Sequence, residues 1–285
     1  MPRFAYVNGR FVRHAAASVH IEDRGYQFAD GVYEVIHVRS GWLIDAEPHF
    51  DRFDRSLAEL SIKPPMSRAA LRLVLAELLF LNGIRDGLAY FQATRGVAPR
   101  DHKFPPSSRT SLVATAKHLK PLPPAFLEKG VAVITIPDIR WRRCDIKSLA
   151  LLPNVLGKQQ AVAQGAYEAW QVDDEGRITE GTSSNAWIVT AAGRLVTRPP
   201  GGEILAGIVR RSLLRLLSAF EIPLEERPFT LEELRGAREA FLTSSSGFLL
   251  PVTRLDGAPV GEGVVGPVTR ELRRRLDADV LRQSA

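Results

Sequence analysis

The residues best suited to chemistry lie in two stretches, Arg143-Cys144-Asp145-Ile146-Lys147-Ser148-Leu149 and Thr179-Glu180-Gly181-Thr182-Ser183-Ser184-Asn185. A lysine amine can form a Schiff base with an aldehyde. A carboxylate can hold a proton on a pyridine nitrogen, and clustered hydroxyls can hold a phosphate. Together these groups would serve a phosphorylated pyridine aldehyde. Each also has a plainer reading. Most lysines lie on the surface, and Gly, Ser, Thr and Asn are the ordinary residues of turns.

The chain has only seven lysines, so each can be weighed. Lys63 precedes two prolines, Lys103 lies in a polar loop, Lys117 and Lys120 flank a proline-rich stretch, and Lys129 precedes a glycine. Lys158 falls in an amphipathic helical pattern. Lys147 alone sits between a polar stretch and the apolar run Leu149-Ala150-Leu151-Leu152, surroundings that suit an attacking amine. Two further stretches could bind an anion. In Gly201-Gly202-Glu203-Ile204-Leu205-Ala206-Gly207-Ile208-Val209 a glycine-bearing loop opens a helix, whose free N–H groups and dipole favour negative charge. Thr243-Ser244-Ser245-Ser246-Gly247 follows an apolar strand and offers hydroxyls. A carboxylate would suit Arg100-Asp101-His102, where alternate residues of extended chain point to one side. The histidines lack metal-ligand spacing and Cys144 has no partner cysteine, so no metal is expected.

These residues need a scaffold, and composition bounds its kind. With 285 residues, 45% hydrophobic and 25% charged, the chain reads as globular with two domains. A single cysteine excludes an intrachain disulfide and fits a reducing, cytoplasmic setting. No apolar run reaches the ~18–20 residues of a membrane helix. The net charge of +6 comes from dispersed arginines, so neither nucleic acid nor membrane is expected as a partner.

Periodicity supplies the elements. Asn8-Gly9 between two apolar runs signals a hairpin. Strands are expected at 32–38 and 42–44, turning at Ser40-Gly41, and at 88–94 and 111–116. Helices are expected at about 49–60 and from Ser67, a good N-cap, to Asn82-Gly83. After the proline-rich 119–124, strand patterns at 131–136, 166–172, 186–189 and 240–243 mix with helical ones at 155–164, 208–220 and 267–281. The expected organisation is a small α/β domain over 1–118, a linker over 119–124 and a larger domain over 125–285.

The order of these motifs resembles one family. Glu22-Asp23-Arg24-Gly25-Tyr26-Gln27-Phe28, Asp30-Gly31-Val32-Tyr33-Glu34-Val35, Tyr90-Phe91-Gln92, Thr94-Arg95-Gly96 and Asp138-Ile139-Arg140-Trp141 lead into the lysine stretch. Thr179-Glu180-Gly181, Ser183-Ser184-Asn185 and Gly207-Ile208 follow it. The chain resembles the class IV aminotransferases, which use pyridoxal 5'-phosphate on the fold-type IV scaffold, and within them the D-amino acid aminotransferases. The fold implied is α/β (α+β), a small α/β domain plus a larger one with a pseudo-barrel sheet and surrounding helices.

The resemblance implies a role for each site residue. Lys147 would carry pyridoxal phosphate and move the substrate proton, and Glu180 would pair with the protonated pyridine nitrogen. Arg52, Ile208, Val209, Ser244 and Ser245 would hold the phosphate, with Leu205 behind the ring. Tyr33, with Arg100 and His102 from a partner subunit, would hold the substrate α-carboxylate, which makes a homodimer the minimum unit. The implied reaction moves an amino group between D-amino acids, such as D-alanine or D-glutamate, and 2-oxo acids in ping-pong order. Alternatives are a branched-chain L-amino acid or (R)-amine transaminase and, more distantly, an aminodeoxychorismate lyase. Three departures stand out: Val209 in place of a common threonine, Thr182 in place of a serine, and His37 where a lysine can occur.

Overall fold

The computed structural model describes residues 2–217 and 222–284. Its chain divides into two compact units, Met1–Lys120 with Ile146–Ala150 and Val280–Ala285, and Pro121–Asp145 with Leu151–Asp279.

The first unit is built on an antiparallel six-stranded sheet. Its elements are β1 (Phe4–Val7), β2 (Arg10–Arg13), α1 (Arg24–Phe28), β3 (Gly31–Arg39), β4 (Trp42–Leu43), α2 (Ala46–Glu59), α3 (Arg68–Asn82), β5 (Gly87–Thr94) and β6 (Ser111–His118). The strand order is β2-β1-β6-β5-β3-β4. The expected hairpin forms β1 and β2: Asn8 and Gly9 both take positive φ, 48° and 99°, which this turn requires. Helix α3 begins on Ser67, whose hydroxyl accepts from the Ala70 N–H, and ends on Gly83 in the left-handed region. Its buried Leu71, Leu75, Leu78 and Leu79 recur at helical spacing and join Phe50, Phe53 and Leu57 of α2 in one core. Along β3 the residues alternate. Val32, Glu34, Ile36 and Val38 are fully buried, while Tyr33, Val35 and His37 occupy the other face.

One later segment also belongs to this unit. Ile146–Ala150 lies along the start of β3: the Tyr33 N–H donates to the Lys147 carbonyl and the Leu149 N–H donates to the Gly31 carbonyl, both at 3.0 Å. Val32 and Ser148 form a bridge there. Lys147 is thereby grouped with β3, although it follows the proline-rich stretch in sequence.

The second unit comprises α4 (Pro124–Glu128), β7 (Val131–Pro137), α5 (Leu152–Ala163), β8 (Glu168–Val172), β9 (Arg177–Gly181), β10 (Asn185–Val189), β11 (Leu195–Thr197), α6 (Ile208–Leu217), β12 (Leu224–Glu226), β13 (Phe229–Thr230), α7 (Leu231–Arg235), β14 (Glu239–Ser244), β15 (Phe248–Leu255), β16 (Ala258–Pro259) and α8 (Pro267–Gln283), the last residues of α8 grouping with the first unit. The helix expected over 208–220 is seen to Leu217, and its last three residues lie outside the described residues. One mixed ten-stranded sheet runs β12-β11-β10-β14-β15-β7-β8-β9-β13, with β16 on β15. β7 and β8 are parallel and joined through α5, as a crossover demands. The sheet curls into a half-barrel. β9 and β10 stand far apart in strand order, yet only residues 182–184 connect them, and Arg198, just past β11, donates to the Ile178 carbonyl of β9. The curl encloses Trp170, Ile178, Ile188, Val196, Leu242 and Leu250.

Leu75, with no exposed surface, sits at the centre of the first core. Leu75→Ala should lower the unfolding free energy by about 2–5 kcal/mol. Urea denaturation followed by circular dichroism checks this, and a loss below ~1 kcal/mol would mean that the site collapses around the cavity.

Candidate active site

In the first unit the site residues gather on β3 and its neighbours. The Lys147 side chain is half-buried, with Nζ 4.3 Å from the centre of the Tyr33 ring. Its backbone N–H donates to the Ser56 hydroxyl of α2 at 3.3 Å. Arg52, from the same helix, is buried and forked onto Glu34, with Nε to Oε1 at 2.8 Å and Nη2 to Oε2 at 2.9 Å. His49 Nδ1 lies 2.7 Å from Glu34 Oε2. A carboxylate with no exposed surface is tolerated only if paired and hydrogen-bonded. Burial would raise the Glu34 pKa, but the charge of Arg52 and the hydrogen bonds from Arg52 and His49 outweigh it and hold the carboxyl far below its ordinary range. Burial pushes the other way on His49: it keeps the imidazole below its ordinary value despite Glu34, with Arg52 and Lys147 acting in the same direction. The ring is therefore neutral and donates its Nδ1–H to Glu34.

Beside β3, Tyr90 of β5 donates its hydroxyl to Gln92 at 2.7 Å, and burial raises its pKa to about 12. Arg100 and His102 lie on the exposed loop after β5, and both pack on the Phe28 ring. His37 shares the β3 face of Tyr33 and pairs across to Leu88.

In the second unit, Glu180 is the buried end of β9. Its carboxylate accepts from Arg140 Nη1, from Asn185 Nδ2 at 3.0 Å and from the Leu205 N–H at 3.1 and 3.2 Å. Arg140 is itself anchored to Asp138 (Nη2 to Oδ2, 2.7 Å) and to the Glu203 carbonyl. Burial works against the Arg140 charge, yet its bonds to Asp138 and the charges of Glu180 and Asp138 raise its pKa above the ordinary value. Arg140 thus places a permanent positive charge beside the Glu180 carboxylate. Asn185 also donates to the Leu205 carbonyl at 2.9 Å, so one amide ties β10 to the loop before α6. Gly207 completes that approach, since a Cβ there would stand 2.0 Å from Asn185 Oδ1. Ile208 and Val209 then form the buried first turn of α6. Ser244 closes β14, its hydroxyl accepting from the Gly247 N–H at 3.2 Å and lying beside Ser246, with Ser245 half-buried next to it.

The structure corrects one expectation. Thr182, Ser183 and Ser184 do not form an open phosphate cradle. The Thr182 hydroxyl donates to Glu168 Oε1, and the Ser183 and Ser184 hydroxyls reach Oε2 at 2.8 and 3.2 Å. Glu168 is buried in β8, and the turn closes over its charge. Cys144 is no nucleophile either, because burial pushes its thiol up to about 12. Reading the sequence also gave no role to Glu34, His49, Arg140 or Asn185. The available signal was a charged Glu34 at an inward position of an alternating strand.

Among the described residues no cluster of three or more His, Cys, Asp or Glu is placed to hold a metal ion. No described helix is long and apolar enough to cross a membrane.

The burial of His49 predicts acid sensitivity. The unfolded chain takes up a proton at His49 near pH 6.5, and the folded chain resists it. Stability present above that pH is therefore lost as pH falls through it, by up to about 1.4 kcal/mol per pH unit. Unfolding free energies between about pH 7.5 and 5.5 should fall less steeply for His49→Gln than for the unaltered chain. Equal slopes would show that His49 is charged in the fold.

Residues 31–255 match the family model described as amino-transferase class IV. The D-alanine aminotransferase of Staphylococcus haemolyticus is 44% identical over 269 residues, covering 94% of each chain. That of Bacillus licheniformis is 41% identical over 278 residues, covering 98% of this chain and 97% of its own. The branched-chain amino acid aminotransferase of Escherichia coli has the same fold, with a TM-score of 0.91 at 22% identity, covering 100% of this chain and 97% of that one. A T.th. branched-chain amino acid aminotransferase with pyridoxamine 5'-phosphate gives 0.90 at 24% identity, covering 99% and 95%. The two-sheet architecture is thus that of fold-type IV, and the chain belongs to the class IV aminotransferases.

Proposed function

We propose that this aminotransferase uses pyridoxal 5'-phosphate to move the amino group between D-amino acids and 2-oxo acids. The observation that carries the reading is Glu180, a buried carboxylate held by an arginine and two further fixed donors. Such a carboxylate suits a protonated pyridine nitrogen, and the remaining donors fit the same group: a half-buried lysine amine, a buried arginine and the first turn of a helix. The D-alanine aminotransferases that share over 40% of its residues support the D-amino acid preference.

When bound, pyridoxal phosphate supplies an electron sink for the pair of electrons left when the substrate Cα loses its proton. Lys147 would carry the cofactor and, once displaced by the substrate amine, act as the base that takes that proton and returns it. Glu180 would hold a proton on the ring nitrogen, and Leu205 would pack against the ring. Arg52, Ser244, Ser245 and the N–H groups of Ile208 and Val209 would bind the phosphate. At Val209 the side chain offers no hydroxyl, which leaves the backbone donor of the helix start. Tyr33, Arg100 and His102 would orient the substrate α-carboxylate, a clamp that an amine-specific enzyme has no need of. The first 2-oxo acid leaves before the second binds, which gives ping-pong kinetics. A homodimer is the proposed working unit, with Arg100 and His102 serving the partner's substrate, and sedimentation of the purified protein at dimer mass checks it.

Lys147→Ala should abolish D-alanine:2-oxoglutarate turnover and the visible absorbance change on adding D-alanine. Glu180→Gln should slow Cα deprotonation by about 10²–10³-fold while shifting half-saturation by D-alanine far less. Turnover of L-leucine or of (R)-1-phenylethylamine without turnover of D-alanine would overturn the substrate assignment.

A further inference from the structure

Arg24 is a buried arginine in the first unit that the mechanism above leaves without a task. Its guanidinium reaches three acceptors. Nε donates to Asp30 Oδ2 at 2.8 Å, Nη1 to the Asp101 carbonyl at 2.5 Å and Nη2 to the His102 carbonyl at 3.4 Å. Asp30 is gripped from the other side by Arg95, with Nε to Oδ2 at 2.8 Å and Nη2 to Oδ1 at 2.9 Å. Arg95 in turn donates to the carbonyls of Leu60 and Ser61, just past α2. Burial opposes the Asp30 charge, but hydrogen bonds from Arg95 and Arg24 prevail and keep its pKa below the ordinary value.

The root of the loop is fixed to the same segment. The Arg24 N–H donates to the Gly96 carbonyl, the Ala98 N–H to the Glu22 carbonyl, and Asp23 bridges Val97. Phe28, one helical turn beyond Arg24, forms a platform. The guanidinium carbons of Arg24 and Arg100 lie 4.8 and 4.5 Å from its ring centre, and the His102 ring lies 5.5 Å away. Among the described residues no hydrogen bond or ion pair engages the Arg100 or His102 side chain, and both are exposed. The backbone beneath them is thus held by buried charge, while their cationic and donor ends remain open to a ligand.

We propose that Arg24 is the positioning residue of the carboxylate clamp: by holding the Asp101 and His102 carbonyls on the Asp30–Arg95 anchor, it presets Arg100 and His102 for the substrate α-carboxylate. This rests on the clamp role given to Arg100 and His102 above. A loop that must be ordered at each binding event loses affinity to that ordering, and a loop already fixed does not. Only a planar, forked cation meets this geometry. A lysine could stay beside Asp30, but it could not also reach two successive carbonyls. Arg24 touches no reacting atom, so its effect falls on substrate capture and leaves proton transfer alone.

The test is a stopped-flow D-alanine half-reaction on the holoenzyme with Arg24→Lys, Arg24→Gln, Arg100→Ala and Arg24→Lys/Arg100→Ala. Arg24→Lys keeps a cation beside Asp30 and so protects the fold if Arg24→Gln fails to assemble. Both Arg24 variants should raise half-saturating D-alanine about tenfold, with the limiting rate within about threefold of the parent. The double variant should lose less than the sum of the two single losses, since Arg24 acts in part through Arg100, with His102 still in place. Unchanged half-saturation in Arg24→Lys beside a raised value in Arg100→Ala would overturn the positioning role, as would additive losses in the double variant. If Arg100→Ala itself leaves half-saturation unchanged, the clamp assignment falls, and the role of Arg24 with it.

Discussion

Three carboxylates withdrawn from water, each tied to arginine, constrain the rest of this structure. Asp30 lies between Arg24 and Arg95, Glu34 carries Arg52 and His49, and Glu180 is met by Arg140. Taking such charges out of water costs several kcal/mol per ion, and the pairing returns this only where the geometry is good. Losing one partner strands the other, at a cost of about 3–5 kcal/mol. Their value therefore lies less in net stability than in fixing where nearby atoms must be. Asp30 anchors the loop of Arg100 and His102. Glu34 orients the arginine assigned to phosphate. Glu180 is fixed beside Arg140, whose pKa is held above its ordinary value.

Local chemistry was the most legible part of the sequence. Asn8-Gly9 and the Ser67 and Gly83 caps could be read because a turn or helix end depends on a few adjacent residues. The pairing of Ile146–Ala150 with β3 was not legible, because that contact joins residues over a hundred positions apart and has no local signature. The stretch around Glu180 misled for a related reason. Small polar residues suggested an open turn, but Thr179–Gly181 extend as β9 and the hydroxyls close on Glu168, whose burial depends on the whole sheet. Lys147 and Glu180 could be named from the motif order, while Ser56 and Arg140 support them from distant segments and Asn185, though close in sequence, gives no local sign of its bond to Glu180.

The half-barrel of the second unit explains why one amide can have two duties. Curling brings β9, β10 and the loop before α6 together, so Asn185 bonds both Glu180 and the Leu205 carbonyl. The anionic carboxylate and the helix start are thereby set by the same side chain, with Gly207 leaving room for it. Departures from the family pattern fall where this frame tolerates them. Val209 still presents a first-turn N–H, and Thr182 keeps the hydroxyl that Glu168 needs. His37 lies on the β3 face of Tyr33 and pairs across to Leu88.

The proposed chemistry turns on Lys147 being the amine that carries the cofactor. Reducing the holoenzyme with borohydride and mapping the labelled peptides by mass spectrometry tests it most directly. A single phosphopyridoxyl label is expected on Lys147 among the seven lysines. A label on any other lysine, or no label in an enzyme that still turns over D-alanine, would contradict it.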